Sequence, residues 1–362
     1  MKFVQIVMLV GISSMVGCSS KVIEIESNDE RFPGFHPALS PGKQTDVLIV
    51  HGMCSKSDQW FADHVKEFSK TVKPIVPSEI IEGDVIDGIQ LSEAVIESSS
   101  GVLNLYGVIY SGATENAKKG LTEAIVPGER AWINKNIKKF AMNDCLADVV
   151  TYIGPVGTKI RARIREILSD IQARRQEKRE KDKVVLISES LGSKIVRDSL
   201  LCDPNESAAD ALKLLSNSDL FVMYANQIPF LDLASDENCD LSENNSTLSS
   251  FGLSEDEMTG DLSDVLRILN QPGVLGFAPE VAETPRHWVA FSDPNDILSY
   301  QLDISKYEDL KVTNVSLANT TNWFGFFANP SKAHNGYKSN SEVRKMILFG
   351  CTIKNNKCET NL

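Results

Sequence analysis

Two metal signatures are missing from this sequence. It contains no C-x-x-C pair and no H-E-x-x-H motif, so the common thiolate and two-histidine routes to zinc are absent, and neither a metal nor a cofactor is expected. Basic residues are in deficit, 37 against 49 acidic, for a formal charge of −12. That balance argues against a nucleic-acid partner and against broad electrostatic attraction to anionic lipid. The apolar run that ends at Val16 is too short to span a bilayer as a stable helix. What is present is a 42% hydrophobic chain of 362 residues, enough for one large α/β domain with an insertion or for two modest domains.

The N-terminus carries an address. Met1-Lys2-Phe3 leads into the apolar run, which closes in Met15-Val16-Gly17-Cys18-Ser19. This segment resembles a bacterial lipoprotein signal with its lipobox, although Met15 stands where leucine is usual. The resemblance implies removal of residues 1–17 and lipidation of Cys18, and Ser19 behind it implies an outer-membrane lipoprotein. Loss of Lys2 would leave 36 basic against 49 acidic residues, a net charge of −13. An ordinary secretory signal with an incidental cysteine is the alternative. From Lys21 to Thr45 the chain is polar and punctuated by Pro33, Pro37 and Pro41, so 18–45 reads as a tether and 46–362 as the domain.

Six cysteines follow Cys18, namely Cys54, Cys145, Cys202, Cys239, Cys351 and Cys358. In an exported protein they permit three disulfides, with fifteen complete pairings open. Cys351 with Cys358 is favoured, because only a short polar loop separates them. Cys202 with Cys239 is a further option.

The centre of the sequence is Lys183-Val184-Val185-Leu186-Ile187-Ser188-Glu189-Ser190-Leu191-Gly192. Val184 to Ile187 reads as a buried strand, and Ser193 to Leu200 carries apolar residues at helical spacing. Ser188-x-Ser190-x-Gly192 in this strand-turn-helix context resembles the nucleophile elbow of α/β-hydrolases, with Ser188 replacing the usual first glycine. The resemblance implies a mostly parallel central sheet flanked by helices, with Ser190 as nucleophile.

A second buried strand, Asp46 to Val50, runs into His51-Gly52-Met53-Cys54. Ser57 and Asp58 offer helix caps beyond it, and Phe61, Val65 and Phe68 recur on one helix face. By the same resemblance this loop lines an oxyanion hole, with main-chain N–H groups from Met53 and Leu191 and with Cys54 as the alternative donor. His51 reads as structural rather than as a proton carrier.

Further along, 89–112 suggests a hairpin around Ser98-Ser99-Ser100-Gly101, and 114–181 is mostly helical in propensity, interrupted near Pro127-Gly128 and Gly154-Pro155. Ala173 to Asp182 is a mixed-charge run, read as a solvated helix end, with a phosphate or headgroup patch as the minority reading. A helix over 206–215 and a strand over 220–225 follow. Residues 232–261 are rich in Asp, Glu, Asn and Ser, and the family resemblance implies a cap insert at about 232–272; disorder is the alternative.

His287 to Phe291 is strand-like and ends in Ser292-Asp293-Pro294-Asn295-Asp296-Ile297-Leu298. The resemblance makes this the acid loop, with Asp296 preferred and Asp293 as rival. After another strand at 311–317 and the aromatic cluster Trp323 to Phe327 comes His334, in a loop before a helix at 341–349. His36, His51, His64 and His287 lack that late loop position. The order Ser190, Asp296, His334 follows the nucleophile, acid, base order of the family. The expectation is a serine esterase or lipase, anchored by lipid, acting on an ester or lipid substrate. Its competitor is a non-catalytic envelope lipoprotein that uses the fold to bind.

Overall fold

A computed structural model describes residues 21–36, 39–54, 59–124, 131, 134, 138–176, 182–202, 206–231, 262–270, 286–320 and 329–360. The strands are β1 (Lys21–Ser27), β2 (Arg31–Pro33), β3 (Gln44–Val50), β4 (Ile80–Ile86), β5 (Ile89–Ser98), β6 (Gly101–Ile109), β7 (Lys183–Glu189), β8 (Ser218–Tyr224), β9 (His287–Ser292), β10 (Lys311–Ala318), β11 (Gly350–Lys354) and β12 (Lys357–Thr360). Nine form one sheet in the order β1-β10-β9-β8-β7-β3-β6-β5-β4, and the other three form a small sheet, β12-β11-β2. From β10 through β6 the large sheet is parallel; β1, β5 and β4 pair antiparallel.

The apolar runs account for this sheet. In β3, Leu48 and Val50 enter one core while Val47 and Ile49 enter the other, so each consecutive residue is buried on an alternate face. Helices cover both faces. On the first lie α3 (Ala147–Ile153), α4 (Pro155–Gln176), α5 (Gly192–Leu201), α6 (Glu206–Ser216) and α7 (Leu262–Asn270). In α4 the residues Ile160, Ile164, Ile167, Leu168 and Ile171 repeat at the spacing of one helix face. On the second lie α1 (Gln59–Val72), with Phe61, Val65 and Phe68 inward, and α9 (Ser341–Phe349). Between them in sequence are α2 (Ser111–Glu123) and the short α8 (Pro330–Asn335).

Several expectations need correction. Residues 21–27, placed by composition in a tether, form the edge strand β1 on β10, so its alternation of apolar and charged side chains belongs to a half-solvated edge. Of the insert expected at 232–272, the stretch 262–270 is helix α7, buried against α5 and α6 as part of the helical layer. The remainder lies outside the described residues, as do residues 1–17, Cys18, Ser57, Asp58, Pro127-Gly128 and the 323–327 aromatic cluster.

The mixed-charge run is not a solvated end throughout. Arg175 is fully buried and paired with the equally buried Asp46, which also accepts from Asn104 Nδ2 at 2.7 Å. A charge taken from water is tolerated only with such a partner. Arg174 reaches Glu93 at 2.9 Å and lies over the Tyr106 ring. Cys54 bonds to Cys145 across 91 residues, and Cys351 bonds to Cys358 within the β11–β12 hairpin. Cys202 is also disulfide-bonded, and Cys239 lies outside the described residues.

Candidate active site

All parallel strands deliver their C-terminal ends to one edge of the molecule, and the residues singled out in the sequence arrive there. Ser190 follows β7 with φ 53°, a left-handed conformation that costs an L-residue about 1 kcal/mol or more. Its N–H donates to Tyr224 O at 2.8 Å, which fixes the turn to the neighbouring strand. The small residues around it have a physical reason. A Cβ on Gly192 would sit 2.7 Å from Val50 O and His51 O, and one on Gly52 would sit 2.5 Å from Glu189 O. At the first position, Ser188 is buried and its hydroxyl donates to Val222 O at 3.3 Å, so the side chain is accommodated.

The loop after β9 separates the two candidate acids. Both carboxylate oxygens of Asp296 lie near His334 Nδ1, at 3.0 and 2.9 Å, and Tyr337 Oη donates to Asp296 at 3.3 Å. Asp293 instead holds the backbone: it accepts from Asn295 N at 2.8 Å and from Asn319 N at 2.6 Å. His334 sits in the last turn of α8 rather than in a loop, because Asn329 caps that helix and Asn319 Nδ2 donates to Ala333 O at 2.9 Å. Ser190 and His334 line one cleft together with Gly52, Met53, Glu189, Tyr224 and Tyr337. Ser190 Oγ is buried and has no hydrogen-bond partner among the described residues.

Met53 and Leu191 are buried beside the serine, and neither main-chain N–H is hydrogen-bonded among the described residues. The Cys54 N–H, the alternative donor, is unavailable because it donates to Asp148 Oδ2 at 2.7 Å. Asp148 also meets Lys118 Nζ at 2.8 Å and takes the Thr114 hydroxyl. Burial pushes its carboxyl above the usual range, and Lys118, Thr114 and the Cys54 N–H oppose that rise. Together with the Cys54–Cys145 bond, Asp148 pins the chain immediately after Met53. His51 is structural: its Nε2 accepts from Tyr110 N at 2.7 Å, so Nδ1 carries the proton toward Gly52 O.

Sequence reading missed Glu189. Its carboxylate accepts from Trp60 Nε1 at 2.8 Å and meets His64 Nε2 at 2.9 Å, tying α1 to the turn that presents Ser190. The clue was a carboxylate directly before the serine at the end of a buried strand. Tyr224 and Tyr337 stack with centroids 5.9 Å apart on the cleft wall. Burial raises both phenols, Glu189 adding to the effect at Tyr224 and Asp296 at Tyr337, so both stay neutral donors.

Among the described residues no cluster of three or more His, Cys, Asp or Glu could hold a metal ion, and no helix is long and apolar enough to cross a membrane. No protein-family model matches the chain, and no curated protein or solved structure matches it either.

Proposed function

We propose that the protein is a serine hydrolase with an α/β-hydrolase fold, cleaving carboxylic esters through an acyl-enzyme and held to the cell envelope by lipid on Cys18. The carrying observation is a left-handed serine at a strand-to-helix turn that shares one cleft with a buried Asp296–His334 pair. A serine hydroxyl alone is a weak nucleophile at neutral pH, and an adjacent imidazole oriented by a carboxylate is what activates it. In this reading His334 Nε2 takes the Ser190 proton as Oγ attacks the carbonyl carbon. Asp296 holds Nδ1–H and stabilises the cation. The N–H groups of Met53 and Leu191 receive the oxyanion.

Collapse of the tetrahedral intermediate breaks the ester C–O bond, and the alcohol leaves with the proton from His334. Water then attacks the acyl-serine and gives its proton to His334; the bond from the acyl carbon to Ser190 Oγ breaks, Oγ takes the proton back from His334, and the carboxylic acid departs. The serine hydroxyl has no competing hydrogen bond to break, and contact with His334 would tighten when substrate fills the cleft.

Hydrolysis of a panel of aryl esters of increasing acyl length tests this. Ser190→Ala, Asp296→Asn and His334→Gln are each expected to lower kcat by about 10³-fold or more. Equal turnover by Ser190→Ala would remove Ser190 as the nucleophile, and no turnover by the intact protein would leave the binding-module reading in its place.

A further inference from the structure

Strand β1 runs antiparallel to β10, with Lys21 paired to Ala318. Ala318 is the last residue of a parallel strand, so Lys21 lies at the same end of the sheet as Ser190, Asp296 and His334. The next residue, Asn319, donates its N–H to Asp293 and its side-chain amide to Ala333 O beside His334. Cys18 precedes Lys21 by three residues, which span at most about 11 Å when extended. Four strand spacings separate β1 from β7, about 19 Å along the sheet. A lipid on Cys18 is therefore tied to the rim that carries the cleft.

That rim also exposes apolar side chains. Ile297 and Tyr300 in the acid loop are 69% and 43% exposed, and Ile23 at the bulge of β1 is 55% exposed. Scattered surface apolar residues are ordinary, but two of these follow β9 and the third stands on β1, the strand that the anchor leads into. We propose that the cleft faces the membrane that holds the anchor, with Ile23, Ile297 and Tyr300 dipping into its interface, and that the substrate is an acyl ester of a lipid in that same leaflet. One water is consumed per ester bond, and a fatty acid and a deacylated lipid alcohol are released. The inference rests on the serine-hydrolase reading and on lipidation of Cys18.

The test uses the full lipidated chain in zwitterionic phosphatidylcholine vesicles, chosen because 36 basic against 49 acidic residues, a net charge of −13, give it no attraction to anionic surfaces. Spin labels at Ile297→Cys and at Ser99→Cys, in the β5–β6 turn at the opposite end of the sheet, report burial. The label at 297 is expected to lose contact with an aqueous relaxant on the vesicle while that at 99 keeps it. Ile23→Glu is expected to lower fatty-acid release from the vesicle lipid about ten-fold and to leave soluble aryl-ester turnover unchanged. Shielding at 99 with exposure at 297, or equal lipid hydrolysis by Cys18→Ala protein, would overturn the proposal. Absence of aryl-ester turnover counts against the hydrolase reading alone, because the labels report orientation without chemistry.

Discussion

Asp296 presents both carboxylate oxygens to His334 Nδ1, at 3.0 and 2.9 Å, from a loop that Asp293 holds in place. Two carboxylates three residues apart thus do different work. One orients an imidazole; the other satisfies the N–H groups of Asn295 and Asn319.

Substitution separates those roles. Asp296→Asn is expected to keep the fold and lower kcat about 10³- to 10⁴-fold, through loss of the imidazole's orientation and of the charge opposite its cation. Asp293→Ala leaves the half-buried amides of Asn295 and Asn319 unpaired, so it is expected to cost about 1–3 kcal/mol of stability with a much smaller effect on kcat. Denaturant unfolding and ester turnover on the same preparations check both.

Ser190 holds a left-handed φ that only glycine adopts freely. Ser190→Gly and Ser190→Ala should be equally inactive, with the glycine variant the more stable by about 1 kcal/mol. A glycine variant less stable than the alanine variant would contradict the elbow geometry.

Breaking the buried Arg175–Asp46 pair from one side should be severe. Arg175→Met leaves Asp46 uncompensated and is expected to cost about 3–5 kcal/mol, whereas Arg175→Met with Asp46→Leu should recover most of it. Thermal unfolding of the single and double variants decides.

His287, at the start of β9, has its pKa pushed down to about 4, chiefly by burial. A base with a depressed folded pKa binds fewer protons folded than unfolded, so stability present above pH 6.5 is lost as pH falls toward 4. The loss amounts to at most about 3 kcal/mol. His287→Gln should flatten the stability profile in that window, which urea unfolding at graded pH measures.

How far the sequence carried this depended on the range of each interaction. Buried parallel strands announce themselves as continuous apolar runs, so 46–50, 184–187, 220–225 and 287–291 were legible, as was the order of the three loops behind them. Cys351 and Cys358 were legible because their loop is short. Arg175 was not, because local composition says solvated and its partner Asp46 is 129 positions away. The pairing of Cys54 with Cys145 is likewise a fact of tertiary approach, between the loop after β3 and the segment just before α3. Strand β1 was hidden by the three prolines that follow it, Pro33, Pro37 and Pro41, and by the mild alternation of an edge. Glu189 was visible as a residue, but His64 and Trp60, which define its role, come from helix α1.

The most direct measurement is the intact mass and peptide map of the protein after exposure to a fluorophosphonate. One adduct per chain is expected, on Ser190, absent from Ser190→Ala and strongly slowed in His334→Gln. Unmodified protein after prolonged exposure, or an adduct that persists in Ser190→Ala, would contradict it.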